Sequence, residues 1–198
     1  MEFKKYNSIE NSYQDKFINA IINHTYDSYE YIVQEKVHGA NLSFITDGKM
    51  ITMAKRTEII TEDEDFYNSK ELLENYRNRI LSLFSEVSEI FHATSLTIFG
   101  EIFGGGYPHK DVPKIESAKL VQDGIYYCNH NEFYVFDILI NNNQYLNTDV
   151  ANSLFEKHKF IHAKTLFKGS FKAIRINFGR YCRQNLVYLK LKVIFVRV

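Results

Sequence analysis

The feature that most constrains the fold is a pair of strand-like runs, NLSFIT and KMITMA, separated by Asp47-Gly48. Glycine tolerates the positive φ that a tight turn demands, so the dipeptide predicts a hairpin and hence an antiparallel pair. LTIFGEIF, 96–103, reads as a buried strand ending in Gly104-Gly105-Gly106, and GIYYC and EFYVFDILI, 124–128 and 132–140, read as a second hairpin. YIVQEKV, 31–37, is a further strand, Asn141-Asn142-Asn143 a turn, and LVYLKLKVIFV, about 185–196, a terminal strand. Helical spacing appears at 10–22 (Tyr13, Phe17, Ile18, Ile21), at 148–159 and above all at 69–91. In that last run Leu72, Leu73, Tyr76, Ile80, Leu83, Phe84, Val87 and Phe91 form one apolar stripe with charges between them. Hairpins and helices without a βαβ rhythm predict an α+β fold of antiparallel sheets flanked by helices.

Composition narrows the class. The chain has 198 residues, 45% hydrophobic and 15% aromatic, with no Trp and two prolines, which suits a domain with a real core. No run has the apolar length to cross a bilayer, and the polar start MEFKKYNSIENSYQDKF lacks the apolar core of a secretory signal. Cys128 and Cys182 are too few for a disulfide framework or a four-cysteine zinc site, which points to a reducing, intracellular setting. Net charge is zero, yet residues 157–198 carry eleven Lys or Arg and no Asp or Glu. A basic end on an acidic body is suited to polyphosphate or nucleic acid.

Four islands place polar groups inside apolar strands, where they need partners or a use. Glu35-Lys36-Val37-His38-Gly39-Ala40-Asn41 sets a lysine at a strand end before a glycine turn, a candidate nucleophile once deprotonated. Ala54-Lys55-Arg56-Thr57 ends the first hairpin, and Arg56 has the fork geometry for phosphate. In FGEIFGGGYPH alternation puts Phe99, Glu101 and Phe103 on one face, and Glu101 could accept a ribose hydroxyl or hold a divalent metal. The glycines after it are not followed by Gly-Lys-Ser/Thr, which excludes a P-loop. In EFYVFDI, Phe136 could stack on a purine, and Asp137 needs a partner. Singly, each has a plain structural explanation: a strand-end cation, a half-exposed sheet face, an aromatic core.

Together and in this order, the islands resemble those of the covalent nucleotidyltransferases. Within them they are most similar to the ATP-dependent RNA ligases of the phage nick-sealing and kinetoplastid RNA-editing type. EKVHGAN resembles motif I, AKRT the motif Ia region, FGEIFGGGYPH motif III and EFYVFDI motif IIIa; VQDGIYY and the initial FKKYNSIEN are also similar. The likeness runs from about residue 2 to 170, so that 1–170 is read as the adenylation domain and 171–198 as an atypical remainder of it. It implies the nucleotidyltransferase, ATP-grasp-like ligase fold. Implied roles follow: Lys36 takes AMP from ATP as lysyl-AMP, and Glu35 sits beside the adenine. Asn41 and Arg56 contact phosphate or ribose, Glu101 the ribose or metal, and Phe136 the adenine face. His38 stands where DNA ligases commonly show Asp. ATP and Mg²⁺ are the implied cofactors, and RNA, as a nicked duplex or bridged ends, the implied partner, in a cytoplasmic setting that includes virus or phage. The expected reaction joins a 3′-hydroxyl to a 5′-phosphate through lysyl-AMP and an adenylylated RNA end. The family's Glu-Gly-x-Val-Ile-Lys-like motif IV is not found. The nearest stretch, FKAIRI at 171–176, has no carboxylate. Lys190 and Lys192 fit the Lys-x-Lys of motif V. The alternative is therefore a degenerate, non-catalytic nucleotide- or RNA-binding domain, with a DNA ligase or capping relative as a third option.

Overall fold

The computed structural model describes residues 2–7, 15–23, 29–183 and 196–197. The chain divides into two compact units, one of Met1–Tyr6 with Val37–His162 and one of Asn7–Lys36 with Ala163–Val198.

The first unit is built on a six-stranded sheet in the order β3-β2-β4-β5-β6, with β7 paired to β5. The expected hairpin is present as β2 (Ala40–Thr46) and β3 (Ile51–Lys55). Its turn is tied by Asp47, whose Oδ1 accepts from the backbone N–H of Lys49 and Met50 at 2.9 and 3.0 Å. β4 (Leu96–Gly104) and β5 (Asn131–Ile140) form the antiparallel centre. Short β6 (Gln144–Tyr145) and β7 (Ile161–His162) flank β5, the latter in parallel. The stripe predicted over 69–91 is helix α2 (Ser69–Phe91), and it buries Leu72, Tyr76, Ile80, Leu83 and Val87. These side chains share one core with Leu42, Phe44, Ile98, Ile102, Phe133, Val135 and Ile138 of the sheet, joined by Ala151, Leu154 and Phe155 of α3 (Thr148–Lys157). At roughly 1.5–3 kcal/mol per fully buried aliphatic or aromatic side chain, this face supplies most of the unit's cohesion. Asn147 caps α3 by accepting from the N–H of Asp149.

The second unit holds the sheet β8-β1-β9, formed by β8 (Thr165–Ser170), β1 (Glu30–Gln34) and β9 (Val196–Arg197). Helix α1 (Asp15–Asn23) and helix α4 (Phe171–Arg183) belong to it. Ile21, Tyr31, Val33, Phe171 and Ile174 make its core. Among the described residues no helix is long and apolar enough to cross a membrane.

Two sequence expectations need correction. GIYYC is not a strand. Tyr127 instead turns its ring edge-on to Phe103 at 5.3 Å, and the Cys128 and His130 carbonyls accept from Gly106 and Gly105 rather than from a neighbouring strand. The first strand stops at Gln34, short of 37. FKAIRI, which lacks the carboxylate of a motif IV, lies in helix α4, where Phe171 and Ile174 bury one face at helical spacing. Residues 10–14 of the first predicted helix and most of the terminal strand, with Lys190 and Lys192, lie outside the described residues.

Candidate active site

The sheet of the first unit has a second face, opposite α2, and the predicted site residues of this unit are on it or at its rim. On β4, Ile98 and Ile102 join the α2-side core. The intervening Phe99 meets the ring of Tyr6, and Phe103 meets that of Tyr127, so Glu101 shares their face as alternation predicts. Asn41 pairs directly with Glu101 across β2 and β4, and its Nδ2 donates to the Gly100 carbonyl at 3.3 Å. Both side chains are half-buried, which lets polar groups keep contact with solvent while their backbone is fixed by the sheet.

The entry to β2 is held by close packing. A methyl at Gly39 would stand 2.2 Å from the Ile102 carbonyl oxygen, so only glycine allows the approach of this turn to β4. The His38 N–H donates to the Tyr127 hydroxyl at 3.0 Å, and Gln122 Nε2 donates to the Gly39 carbonyl at 2.9 Å. Thus VQDGIYY, which has no strand to offer, clamps the backbone that follows Val37.

The β4–β5 ladder slips by one residue between Phe99–Asp137 and Gly100–Val135, leaving Phe136 as the extra residue of a bulge. Without the slip Phe136 and Asp137 would point to opposite faces; with it both reach Tyr6. The Tyr6 hydroxyl donates to Asp137 Oδ2 at 3.0 Å, and the Ile138 N–H donates to Oδ1 at 2.9 Å. The Tyr6 ring lies 5.0 Å from that of Phe136 in an edge-to-face contact, 4.9 Å from Phe99 and 5.9 Å from Tyr145. Burial raises the Asp137 carboxyl to about 7, against the two hydrogen bonds that favour its charged form. Burial and the same carboxyl push the Tyr6 phenol upward, so it remains a donor. Asp137 was flagged by the sequence as needing a partner; Tyr6, its partner, carried no such signal, because the contact joins residues 131 apart.

Arg56 follows immediately on the last ladder pair of the hairpin, Leu42–Lys55, and so stands exposed at the sheet end where Asn41 lies. Its neighbour Lys55 is engaged elsewhere, with Nζ 2.9 Å from Glu64 and 3.1 Å from Glu58. The triple glycine does not cradle phosphate: Gly105 and Gly106 spend their N–H groups on the His130 and Cys128 carbonyls at 2.8 and 3.2 Å. Glu35 and Lys36 belong to the second unit, just past β1; Glu35 is exposed and Lys36 half-buried. Among the described residues no three His, Cys, Asp or Glu gather as a ready metal cage.

Residues 29–182 match the family described as RNA ligase. This chain belongs to the RNA ligase family. The member described here is 35% identical over 125 residues to the mitochondrial RNA-editing ligase 2 of Trypanosoma brucei brucei, covering 60% of this chain and 29% of that protein. It is 30% identical over 102 residues to RNA-editing ligase 1 of the same organism, covering 48% and 22%. It thus spans less than a third of the length of these relatives. A variant of the Naegleria gruberi RNA ligase solved with ATP and Mn superposes with a TM-score of 0.57 at 17% identity, covering 88% of this chain and 47% of that one. Another, with AMP and Mn, superposes at 0.55 and 18%, covering 85% and 44%. These likenesses establish the α+β nucleotidyltransferase fold for this family member.

Proposed function

We propose that this RNA ligase family member performs the adenylyl transfer that begins ATP-dependent strand joining, with Lys36 as nucleophile. The observation that carries the reading is the face on which Asn41 pairs with Glu101 and the bulge presents Phe136, in a chain of this family. Asn41 follows Lys36 by five residues in the chain, within the run that resembles motif I.

In this reading the neutral Lys36 Nζ attacks the α-phosphorus of ATP in line with the bond to pyrophosphate. That bond breaks as the P–N bond forms, pyrophosphate leaves and lysyl-AMP remains. An RNA 5′-phosphate oxygen then displaces the lysine and takes the AMP, and an RNA 3′-hydroxyl displaces AMP to seal the strand. Phe136 covers one face of the adenine, Glu35 lies along its edge, and Asn41 and Arg56 hold ribose and phosphate. Lys190 and Lys192 would steady the α-phosphate. Mg²⁺ commonly binds through one or two carboxylates, substrate phosphates and water. The residues fit that mode: Glu101 offers a half-buried carboxylate on the strand pair that carries Asn41. When bound, the ion would neutralise polyphosphate charge.

Incubation of the chain with α-labelled ATP and Mg²⁺ tests this. AMP label that survives denaturation and is lost in Lys36→Ala supports the reading; absence of label on the wild-type chain overturns it. The absence of any Asp or Glu from 157–198 favours, as a second reading, a nucleotide- or RNA-binding domain without catalysis. Filter binding of ATP or RNA without covalent label would select it.

A further inference from the structure

Phe136 gains its place outside the regular alternation of β5, so the ladder alone does not hold its ring. What stands against it is Tyr6, from a segment that is itself held upstream. Upstream, Lys4 Nζ donates to the Asn142 carbonyl at 2.7 Å, and Asn142 Nδ2 donates to the Glu2 carbonyl at 3.0 Å, at the turn between β5 and β6. At Tyr6 itself the hydroxyl is anchored on Asp137, the residue next to Phe136, and the ring is wedged among Phe99, Phe136 and Tyr145. Bond and ring thus act on neighbouring residues of one bulge.

We propose that Tyr6 is a positioning residue for the purine platform: its ring buttresses Phe136 edge-on while its hydroxyl locks the bulge through Asp137. The N-terminal segment is then part of the nucleotide site although it need not touch the nucleotide. This rests on the reading of Phe136 as the ring that stacks on adenine. Two functions follow for the two ends of Tyr6. The ring restricts the angle of Phe136, so its loss weakens ATP binding more than it slows the chemical step. The hydroxyl sets the bulge, so its loss alone leaves a platform that is displaced less than when the ring is gone.

The test uses the full chain labelled with 4-fluorophenylalanine, the Phe136 signal among its sixteen phenylalanines being assigned by its disappearance in Phe136→Leu. Wild type, Tyr6→Phe and Tyr6→Leu are compared by ¹⁹F NMR, with and without ATP and Mg²⁺, and by the ATP dependence of Lys36 labelling. The Phe136 signal should shift and broaden in Tyr6→Leu and stay near its wild-type position in Tyr6→Phe. KM for ATP should rise roughly three- to tenfold in Tyr6→Leu, the scale of aromatic contacts of this kind, with the maximal rate little changed and Tyr6→Phe largely restored. Should Tyr6→Leu lose signal dispersion throughout, Tyr6→Met, which fills the gap with an unbranched chain, is read by the same criterion. An ATP-responsive Phe136 signal that is indifferent to the Tyr6 substitutions overturns the proposal alone. A signal that responds to Tyr6 but not to ATP overturns the nucleotide reading of Phe136, and the platform role with it.

Discussion

Asp137→Asn replaces a buried carboxyl by a side chain of the same shape that does not titrate. In the native chain burial lifts this carboxyl from 3.8 to about 7. An acid whose folded value exceeds its unfolded value binds its proton more tightly when folded. Its contribution is therefore fully present below about pH 4 and is lost as the pH rises through 7. Each pH unit between the two values is worth about 1.4 kcal/mol, so the whole fall approaches ~4 kcal/mol, a large share of the 5–15 kcal/mol that holds a typical domain folded. Asp47, Asp65 and Glu86, whose carboxyls are held low by hydrogen bonds and cations, act in the opposite sense, losing their contribution as pH falls. They are common to both proteins and cancel in the difference. The assay is urea unfolding of wild type and Asp137→Asn from pH 4.5 to 7.5, followed by tyrosine fluorescence and circular dichroism. The variant should gain on the wild type steadily across this range, by about 2–4 kcal/mol in all. Two parallel stability curves would refute the reasoning, because they would mean that Asp137 titrates alike in the folded and unfolded chain.

Other expectations can be checked with the same preparations. Gly39→Ala drives a methyl against the Ile102 carbonyl and should cost about 2–3 kcal/mol in urea unfolding, with loss of AMP labelling; an unchanged midpoint would show that the turn can relax. Glu101→Gln keeps the shape of a half-buried residue, so it should alter stability by less than about 0.5 kcal/mol yet lower AMP labelling at least roughly tenfold. Normal labelling would remove Glu101 from the site. Ile80→Ala, on the fully buried seam of α2, should cost about 2–5 kcal/mol, and a loss under 1 kcal/mol would argue against the packing described.

The parts of the fold that were legible in the sequence are those made by neighbours along the chain. The turn at Asp47-Gly48 and the helix over 69–91 each rest on contacts a few residues apart, so turn chemistry and apolar spacing predicted them. The four islands were legible for a different reason: polar groups within apolar strands are costly, and their order matched a family. GIYYC defeated the same reasoning, since a short apolar and aromatic run does not reveal whether a strand stands beside it. Here the loop instead offers Tyr127 to His38 and Phe103.

By itself, then, the sequence determined which residue types were available for the proposed adenylyl transfer and the local elements that carry them. Only the tertiary structure decided that Asn41 faces Glu101, that a one-residue slip brings Phe136 and Asp137 to the same neighbour, and that this neighbour is Tyr6. Register and bulges depend on which strands meet, and a buried carboxyl takes whatever donor the fold brings to it; neither is encoded in the spacing of nearby residues.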